Sequence, residues 1–432
     1  MTVGRYRIPD DVFTALARFG GDQEAVRLVA SARLSKTKLL IQHILRAAER
    51  SGHQDARPAR AAYDVLVGVQ RHDPGAVDAV LRYPLVGAWA LRCALRMRDG
   101  DEDAEPIFLA RVAATAAITA AVPVTLDLGR TAGTLYLPGL GTATGTGTGD
   151  ATVTTHRDGA EIVVGGRTTV VPGDPHRSGA GWRGLRRVSG ESGTRRFDVV
   201  LDSEMPRSLP VSLTTENALP DEDAAAWGER LLGGWRLLVD EQPAVADDVS
   251  RVLQVVAPMR DRPVSAASAT LGDAFGCVVM SLPPDDVHAA VTLTHEVQHS
   301  KLTGLTDLAT LVDNTSPARF YAPWREDPRP ALGLTHGLYA HTSVAGFWRT
   351  HRDRCAPEDR FAADVEYVRW SSACREVADT LLASDVLTPA GRRLVTVITA
   401  QLTEWAREPV HTDVFEAANR QAAEHRSRWT SV

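Results

Sequence analysis

The sequence predicts an α+β fold that is mainly helical, and two changes in hydrophobic period carry this prediction. Apolar residues recur at helical spacing from Pro9 to about Ala121, and again from Glu222 to near the C-terminus. Around Pro123 the period changes to short alternating runs bounded by Gly, Asp-Gly and Pro, which is typical of β-strands. We therefore expect three regions: a helical N-terminal region (1–122), a β-rich insert (123–215) and a mainly helical third region (216–432).

The composition is that of an ordinary globular protein. The chain has 432 residues, of which 44% are hydrophobic and 24% charged, with a formal net charge of −6. It has no basic excess for nucleic acid, no apolar run near the ~18 residues of a membrane span, and no apolar signal-peptide core. Its four Cys have no CxxC spacing, which is typical of reduced thiols. We expect a soluble cytoplasmic protein that binds neither nucleic acid nor membrane.

The N-terminal region is predicted to be a series of helices. The longest is expected over 24–50, and shorter ones follow over 58–69, 75–81, 84–97 and 110–121, separated by Gly, His-Asp-Pro and Tyr-Pro breaks. None of these segments carries a cluster of catalytic or metal-binding residue types. We expect this region to be a scaffold or docking layer.

The insert is predicted to consist of short strands joined by tight turns. The expected strands are 124–128, 133–137, 151–155, 161–164, 168–171, 185–188 and 197–202. Residues 139–145 superficially resemble a phosphate-binding loop, but they lack the Lys and do not precede a helix. We expect a flexible hairpin tip there instead.

The third region contains the most informative stretch of the chain, His295-Glu296-Val-Gln-His299. A helix is expected over 287–302, after a helical stretch over 222–256 and a strand over 276–282. Residues four apart lie on one helix face, so both imidazoles can reach a single metal ion. Glu296 is close enough to act on a metal-bound water or to hold a ligand. The spacing therefore predicts a metal site.

Two His need at least one further protein ligand, whose identity the sequence leaves open. The candidates are His336 and His341, on a helix expected over 332–348, and Asp327 in the proline-stiffened loop 320–330. Because His341 comes five residues after His336, the two should face different ways and are not expected to bind one ion. Such a site fits a zinc protease or a non-haem Fe(II) oxygenase, since imidazole accepts both metals.

The same loop carries two arginines, Arg325 and Arg329. An oxygenase that uses 2-oxoglutarate needs a cation for the distal carboxylate of this co-substrate, and a bidentate Arg suits it. Nearly all positive charge in this chain is Arg, with only three Lys, so a single Arg is weak evidence of function. The alternative is a structural clamp in which the two arginines pair with Glu326 and Asp327.

Several segments together resemble the HExxH-motif peptide-modification family, whose members accompany ribosomally made peptides and are sometimes fused to radical-SAM maturases. The segments are 295–302, 321–330, 337–348, 34–40 and 387–392. The resemblance implies Fe(II)- and 2-oxoglutarate-dependent hydroxylation at Cβ of a residue in a precursor peptide. It also implies that precursor peptide as the substrate, and a radical-SAM maturase encoded nearby as a partner.

The sequence thus predicts a peptide β-hydroxylase. Its expected Fe(II) ligands are His295, His299 and His336. Arg325 or Arg329 would bind the distal carboxylate of 2-oxoglutarate, while Glu296 orients a ligand or water. The first alternative is a zinc metallopeptidase of the HExxH type, in which Glu296 is the indispensable general base. The second is a non-catalytic module that only binds the precursor peptide or its maturase.

Overall fold

The computed structural model describes residues 8–19, 22–203, 219–259 and 267–429. These residues form an α+β fold that is mainly helical, which confirms the predicted fold class. The expected boundary between the insert and the third region, at residue 215, lies outside the described residues. No described helix is both long enough and apolar enough to cross a bilayer.

The N-terminal region is helical, as predicted. Its helices are α1 (Asp10–Ala17), α2 (Gln23–Ser51), α3 (Ala56–His72), α4 (Pro74–Arg82), α5 (Pro84–Asp99) and α6 (Phe108–Thr119). The Asp22 carboxylate accepts the backbone N–H groups of Glu24 and Ala25 and so caps α2. Gly52 ends that helix with a left-handed φ of 66°.

The insert forms a first, antiparallel sheet. Its strands are β1 (Thr125–Leu137), β2 (Gly141–His156), β3 (Gly159–Val164), β4 (Arg167–Val171) and β5 (Trp182–Gly184). They are ordered β1-β2-β3-β4, and β5 pairs with β2. The strands expected over 124–128 and 133–137 are one strand with register shifts. The hairpin tip expected over 139–145 is shorter, because β2 already begins at Gly141. Only glycine fits there, since a Cβ would lie 2.3 Å from the Arg183 carbonyl oxygen.

A second sheet combines strands that precede residue 215 in the chain with strands that follow it. It contains β6 (Arg186–Ser192), β7 (Arg195–Leu201), β8 (Val255–Pro258), β9 (Ser268–Thr270) and β10 (Cys277–Met280), in the order β6-β7-β8-β10-β9. Strand β8 pairs in parallel with β7 and with β10. The prediction that the helical stretch 222–256 continues into Val255 and Val256 was wrong, because these residues begin β8.

The remaining elements are mainly helices. They are α7 (Asp221–Glu241), α8 (Pro243–Val252), α9 (Asp286–Thr306), the strands β11 (Arg319–Phe320) and β12 (Arg329–Pro330), α10 (Ala331–His351), α11 (Arg360–Ala383), α12 (Pro389–Trp405) and α13 (Thr412–Trp429). Helix α9 contains the H-E-x-x-H motif and lies against α7, α10 and the edge strand β9. The approach of α7 to α9 is close, since a Cβ on Gly234 would lie 2.5 Å from the Ala289 side chain.

Two hydrophobic cores meet at the second sheet. Along β8 and β10, successive side chains alternate between them: Val256 and Val278 belong to the core beneath α7–α13, while Val255 and Cys277 belong to the core shared with the N-terminal helices and the first sheet. This alternation follows the period of two that a strand imposes. The second sheet is therefore covered on both faces, and α9 is fixed on one of them.

Candidate metal centre

The motif helix begins within one residue of the expected start and continues four residues past the expected end, to Thr306. Pro283 and Pro284 precede it, and the Asp285 carboxylate accepts the His288 backbone N–H to cap it. The face of α9 that enters the protein is unusually polar. Its buried polar side chains are Thr294, Glu296, Gln298, Ser300 and Lys301. Buried polar groups usually have partners. Among the described residues Glu296 and Lys301 have them, whereas Thr294 Oγ1, Gln298 Oε1 and Ser300 Oγ do not.

The two motif histidines face one point. His295 Nε2 and His299 Nε2 lie 3.0 Å apart, and their rings meet edge to face at 4.6 Å between centroids. Two nitrogens that each lie about 2.1 Å from a shared ion are separated by roughly 3 Å. The geometry of this pair therefore fits two ligands of a single metal ion.

Burial keeps both imidazoles neutral. It lowers the pKa of His295, and it lowers the pKa of His299 well below its ordinary value, to which the neighbouring histidines also contribute. A neutral imidazole retains the lone pair that a metal requires, whereas a protonated one does not. At neutral pH the pair is chemically ready to bind a metal ion.

His336 contacts the other side of His299. Its Nδ1 lies 3.5 Å from His299 Nδ1, and the two rings are stacked at 5.7 Å between centroids. Burial lowers the pKa of His336 to about 4. The ring nitrogen of His299 that faces His336 is thus not the one that faces His295. In this arrangement His336 is placed to orient His299, and its role as a third ligand stays a prediction.

His341 contacts His295, with the ring centroids 4.6 Å apart and the rings nearly perpendicular. Its Nδ1 lies 2.9 Å from the Gly337 carbonyl oxygen, which is a bond that Nδ1–H can donate, leaving Nε2 with a free lone pair. Metal-binding histidines commonly have this arrangement. His336 and His341 thus face different motif histidines, as their spacing of five along α10 predicts: His336 contacts His299 and His341 contacts His295.

Two indole rings enclose His341. Trp324 is stacked on it at 4.4 Å between centroids and an angle of 12°, and Trp370 lies on it at 4.6 Å. Gly337 is required for this packing, because a Cβ there would lie 2.3 Å from the Trp324 ring. Trp370 could not be linked to this site from the sequence, because it lies on α11, 29 positions after His341 in the chain.

Glu296 is almost fully buried, at 1% exposure, and both of its carboxylate oxygens accept hydrogen bonds from strand β9. Ser268 Oγ donates to Oε1 over 2.6 Å, and Thr270 Oγ1 donates to Oε2 over 2.5 Å. Oε1 also lies 4.0 Å from His295 Nε2. Ser268 and Thr270 were missed by the sequence analysis, although their spacing of two along a strand puts both hydroxyls on one face.

The two candidate co-substrate arginines form a clamp with Asp327. Arg325 Nε lies 2.8 Å and Arg329 Nη1 3.0 Å from the two Asp327 oxygens, and both bonds lower the pKa of that carboxyl. The arginine side chains are 55% and 34% exposed. The structural alternative for this loop therefore describes the pairing with Asp327 but not that with Glu326, which lies 3.5 Å from Arg428 instead. Asp327 is engaged as a partner of the arginines.

A different arginine acts on the imidazole cluster. Arg369, on α11, lies over the Trp370 ring at 4.5 Å, and its charge adds to burial and to His295 in lowering the pKa of His341. Its one carboxylate partner is Glu366 at 3.4 Å. Nothing in the local sequence distinguishes Arg369 from the other arginines of α11, so only the fold could identify it.

A buried ion pair anchors the C-terminal half of α9. Lys301 Nζ donates to Asp248 Oδ2 over 2.7 Å, with the two side chains 2% and 4% exposed. Tyr339 of α10 lies next to Lys301 and donates its hydroxyl to the Leu16 carbonyl oxygen. These contacts fix the motif helix against α8 and α10, one turn away from the histidine pair.

Within the described ranges, no three His, Cys, Asp or Glu side chains already surround one point in a ligand geometry. The imidazoles adjacent to the His295–His299 pair are those of His341 and His336. No protein-family model and no curated protein matches this chain.

Proposed function

We propose that this protein is an Fe(II)- and 2-oxoglutarate-dependent hydroxylase that acts on Cβ of a residue in a ribosomally made precursor peptide. The observation that carries the proposal is the 3.0 Å approach of the His295 and His299 Nε2 atoms on a buried helix. The choice of iron, of 2-oxoglutarate and of a peptide substrate rests on the family resemblance of the motif segments. A cytoplasmic location belongs to the same proposal, supported by four Cys that are all free thiols.

The surroundings of Glu296 favour hydroxylation over hydrolysis. In a zinc peptidase this carboxylate must accept a proton from the metal-bound water. Here both of its oxygens already accept hydrogen bonds from Ser268 and Thr270. A carboxylate held in this way is suited to orienting a neighbouring ligand, which is the role that the hydroxylase reading gives it.

In this proposal, His295 and His299 would hold the metal, His341 would supply a third imidazole, and His336 would orient His299. Bound iron and co-substrate would supply the oxidising chemistry that hydroxylates an unactivated C–H bond, with O2 as the oxidant and 2-oxoglutarate converted to succinate and CO2. The indoles of Trp324 and Trp370 exclude water from His341.

A cationic partner for the distal carboxylate of 2-oxoglutarate is also part of the proposal. Arg325 and Arg329 remain candidates if the co-substrate displaces Asp327. Arg369 is the third, supported by its electrostatic action on His341 and by its single, 3.4 Å carboxylate contact. Each of the three arginines can be replaced separately by Gln and 2-oxoglutarate binding measured. The variant with weakened binding identifies the arginine that contacts the co-substrate.

Strand β9 offers a place for an extended peptide. Among the described residues it is the edge strand of the second sheet, and its Ser268 and Thr270 hydroxyls contact Glu296. A peptide that pairs with a sheet edge gains main-chain hydrogen bonds while its side chains alternate between faces. Such a peptide would lie beside the histidine pair.

The test is anaerobic spectroscopy of the metal-free protein after addition of Fe(II) and then 2-oxoglutarate. We expect a visible charge-transfer band in the wild type that is absent in His295→Ala. His288→Ala is the matched control, because His288 is an exposed histidine on the same helix that pairs with Asp285, and it should retain the band. Tight stoichiometric zinc with no band from Fe(II) would contradict the proposal.

The zinc metallopeptidase stays as the second candidate because Glu296 Oε1 lies only 4.0 Å from His295 Nε2. Glu296→Gln separates the two activities. In a peptidase the variant loses all turnover, whereas in the hydroxylase it retains part of the 2-oxoglutarate-dependent formation of succinate. Peptide cleavage by the wild type that Glu296→Gln abolishes would favour the peptidase.

A further inference from the structure

A second concave site lies between the N-terminal helices and the C-terminal half of the protein. Its volume is about 120 Å³, and its walls come from α2, α4, the start of α5, α8 and the segment before β10. It contains none of the motif histidines. The side chains that line it and carry charge are Arg33, Lys36, Arg82, Arg251 and Asp273.

Four cations against one carboxylate is the reverse of the charge balance of the chain, whose net charge is −6. Arg33 and Lys36 share one carboxylate, Asp307, at 2.5 and 2.7 Å, which offsets only one of their two charges. Asp273 is itself engaged by Arg92, at 3.4 Å. The cleft therefore keeps an excess of positive charge, to which Arg82 and Arg251 add two further cations.

Arg82 and Arg251 have only neutral acceptors in the part of the chain that the structure describes. Arg82 donates to the Ala30 carbonyl oxygen over 3.4 Å, which is a long bond. Arg251 donates to the Asp247 carbonyl oxygen and to the Gln23 side-chain oxygen. A guanidinium group presents a fork of donors that matches the oxygens of a phosphate or carboxylate. Neither fork is matched by such a group within the protein.

The shape of the cleft suits a compact anion. Liquid water occupies about 30 Å³ per molecule, so 120 Å³ holds a group of about four or five heavy atoms such as a tetrahedral oxyanion. Pro84 and Gly87 in the wall belong to the first turn of α5, a 16-residue helix whose N-terminus has no side-chain cap. Pro84 has no N–H and the Val86 and Gly87 N–H groups bond to the Tyr83 carbonyl oxygen, so this helix end contributes mainly its dipole to the attraction for an anion.

We infer that this cleft is a binding site for a phosphate group, with Arg82 and Arg251 as the side chains that contact its oxygens. The phosphate is either the free inorganic ion or the phosphoryl group of a small metabolite. The inference depends on the charges and shape of this cleft alone, so it stands or falls independently of the hydroxylase proposal.

The test is calorimetric titration of the full-length protein in a chloride buffer of constant ionic strength, with inorganic phosphate and, separately, glycerol phosphate. We expect saturable binding of one equivalent, weakened at least ~10-fold by Arg82→Gln and by Arg251→Gln, since a hydrogen bond between charged groups contributes about 1.5–3 kcal/mol. Arg157→Gln is the matched control, because Arg157 is an exposed residue between β2 and β3 and its loss removes the same charge.

Each outcome decides the matter. Binding of both probes identifies the free ion as sufficient, and binding of the ester alone identifies a metabolite phosphoryl group; either supports the site if the two arginine variants lose it. Absence of binding by both probes overturns the inference. Equal binding by wild type and the Arg82→Gln/Arg251→Gln double variant overturns it as well. Arg82→Lys keeps the positive charge and should retain measurable affinity for phosphate. This variant shows that a loss of binding in Arg82→Gln comes from the lost charge and not from a folding defect.

Discussion

The imidazole cluster between α9 and α10 and the arginine loop between β11 and β12 were both expected to supply one site, and the structure treats them in opposite ways. The imidazoles of the cluster are desolvated, and their pKa values are lowered by burial. The arginines of the loop are partly exposed and satisfied by Asp327. The cluster has lone pairs without a protein donor, whereas the loop has already neutralised its own charge.

The difference shows what makes a residue pattern reliable. A helix fixes the relation between residues i and i+4 regardless of the rest of the fold, so His295 and His299 meet as soon as α9 forms. No such rule links Arg325 and Arg329 to a site elsewhere, and both pair with Asp327, which is two residues from each in the sequence. Substitutions around the buried cluster should therefore have larger effects than substitutions in the exposed loop.

The largest expected effect is on the ion pair that anchors α9. Lys301→Met leaves the buried Asp248 carboxylate without its partner, and we expect the free energy of unfolding to fall by about 3–5 kcal/mol. Denaturant unfolding followed by circular dichroism measures this change. In the Lys301→Met/Asp248→Leu double variant most of the stability should return, because an apolar pair of similar volume replaces the ion pair. An unstable double variant would show that the effect is one of packing.

The same pair has a defined pH dependence. Burial lowers the pKa of Lys301, but the neighbouring Tyr339 hydroxyl and the Asp248 carboxylate raise it more, so the net shift is upward from the ordinary 10.5. A raised pKa in the folded state gives a stabilisation that is fully present below the unfolded pKa and declines as pH rises through the folded one. The stability difference between wild type and the double variant should therefore be constant near neutral pH and change only above about pH 10.5.

The next effect concerns Glu296. Glu296→Ala removes the acceptor of two hydroxyl groups from β9, and hydrogen bonds to a charged group contribute about 1.5–3 kcal/mol. We expect unfolding free energy to fall by about 2–3 kcal/mol, and by less in Glu296→Gln, whose amide oxygen still accepts. Ser268→Ala/Thr270→Val should lose a similar amount as Glu296→Ala. Full stability in that double variant would mean that the hydroxyls do not hold Glu296.

A smaller effect distinguishes His341 from His336. If His341 is the third ligand, His341→Ala should weaken metal affinity by roughly 100-fold, while His336→Ala, which removes only the orienting contact to His299, should weaken it by about 10-fold. Competition with a chromophoric chelator measures both constants. The opposite order would return the third-ligand role to His336, as the sequence analysis expected.

The smallest effect is expected in the loop. Arg325→Gln and Arg329→Gln each remove an exposed ion pair with Asp327, and such pairs contribute about 0–1 kcal/mol. Thermal unfolding should therefore change by no more than a degree or two, and metal affinity should not change. A large loss of 2-oxoglutarate binding in one of the two variants, with metal binding intact, would show that the co-substrate displaces Asp327.

Much of the fold was predictable because its helices have strong local determinants. Asp22, Asp285 and the prolines at 74 and 84 mark helix starts, and the observed helices begin within two residues of them. Strand β8 was not predictable from its own residues, since Val255 and Val256 continue the apolar pattern of the preceding helix. Only pairing with β7 and β10, which are distant in sequence, selects the extended form.

The candidate site divides in the same way. The histidine pair follows from helix geometry, but the partners of Glu296 lie on a strand 26 and 28 residues before it. The spacing of His336 and His341 predicts that they face different ways, but only the packing of α10 on α9 determines which of them meets His295 and which meets His299. Tertiary packing decides these contacts, and no local pattern encodes them.

The central claim is that His295 and His299 form one metal site, and equilibrium dialysis with Zn(II) or anaerobic Fe(II) tests it most directly. The account predicts one tightly bound ion per chain in the wild type and in His288→Ala, and none in His295→Ala or His299→Ala. Tight binding that survives the loss of both His295 and His299, or a folded wild-type protein that binds no ion, would contradict it.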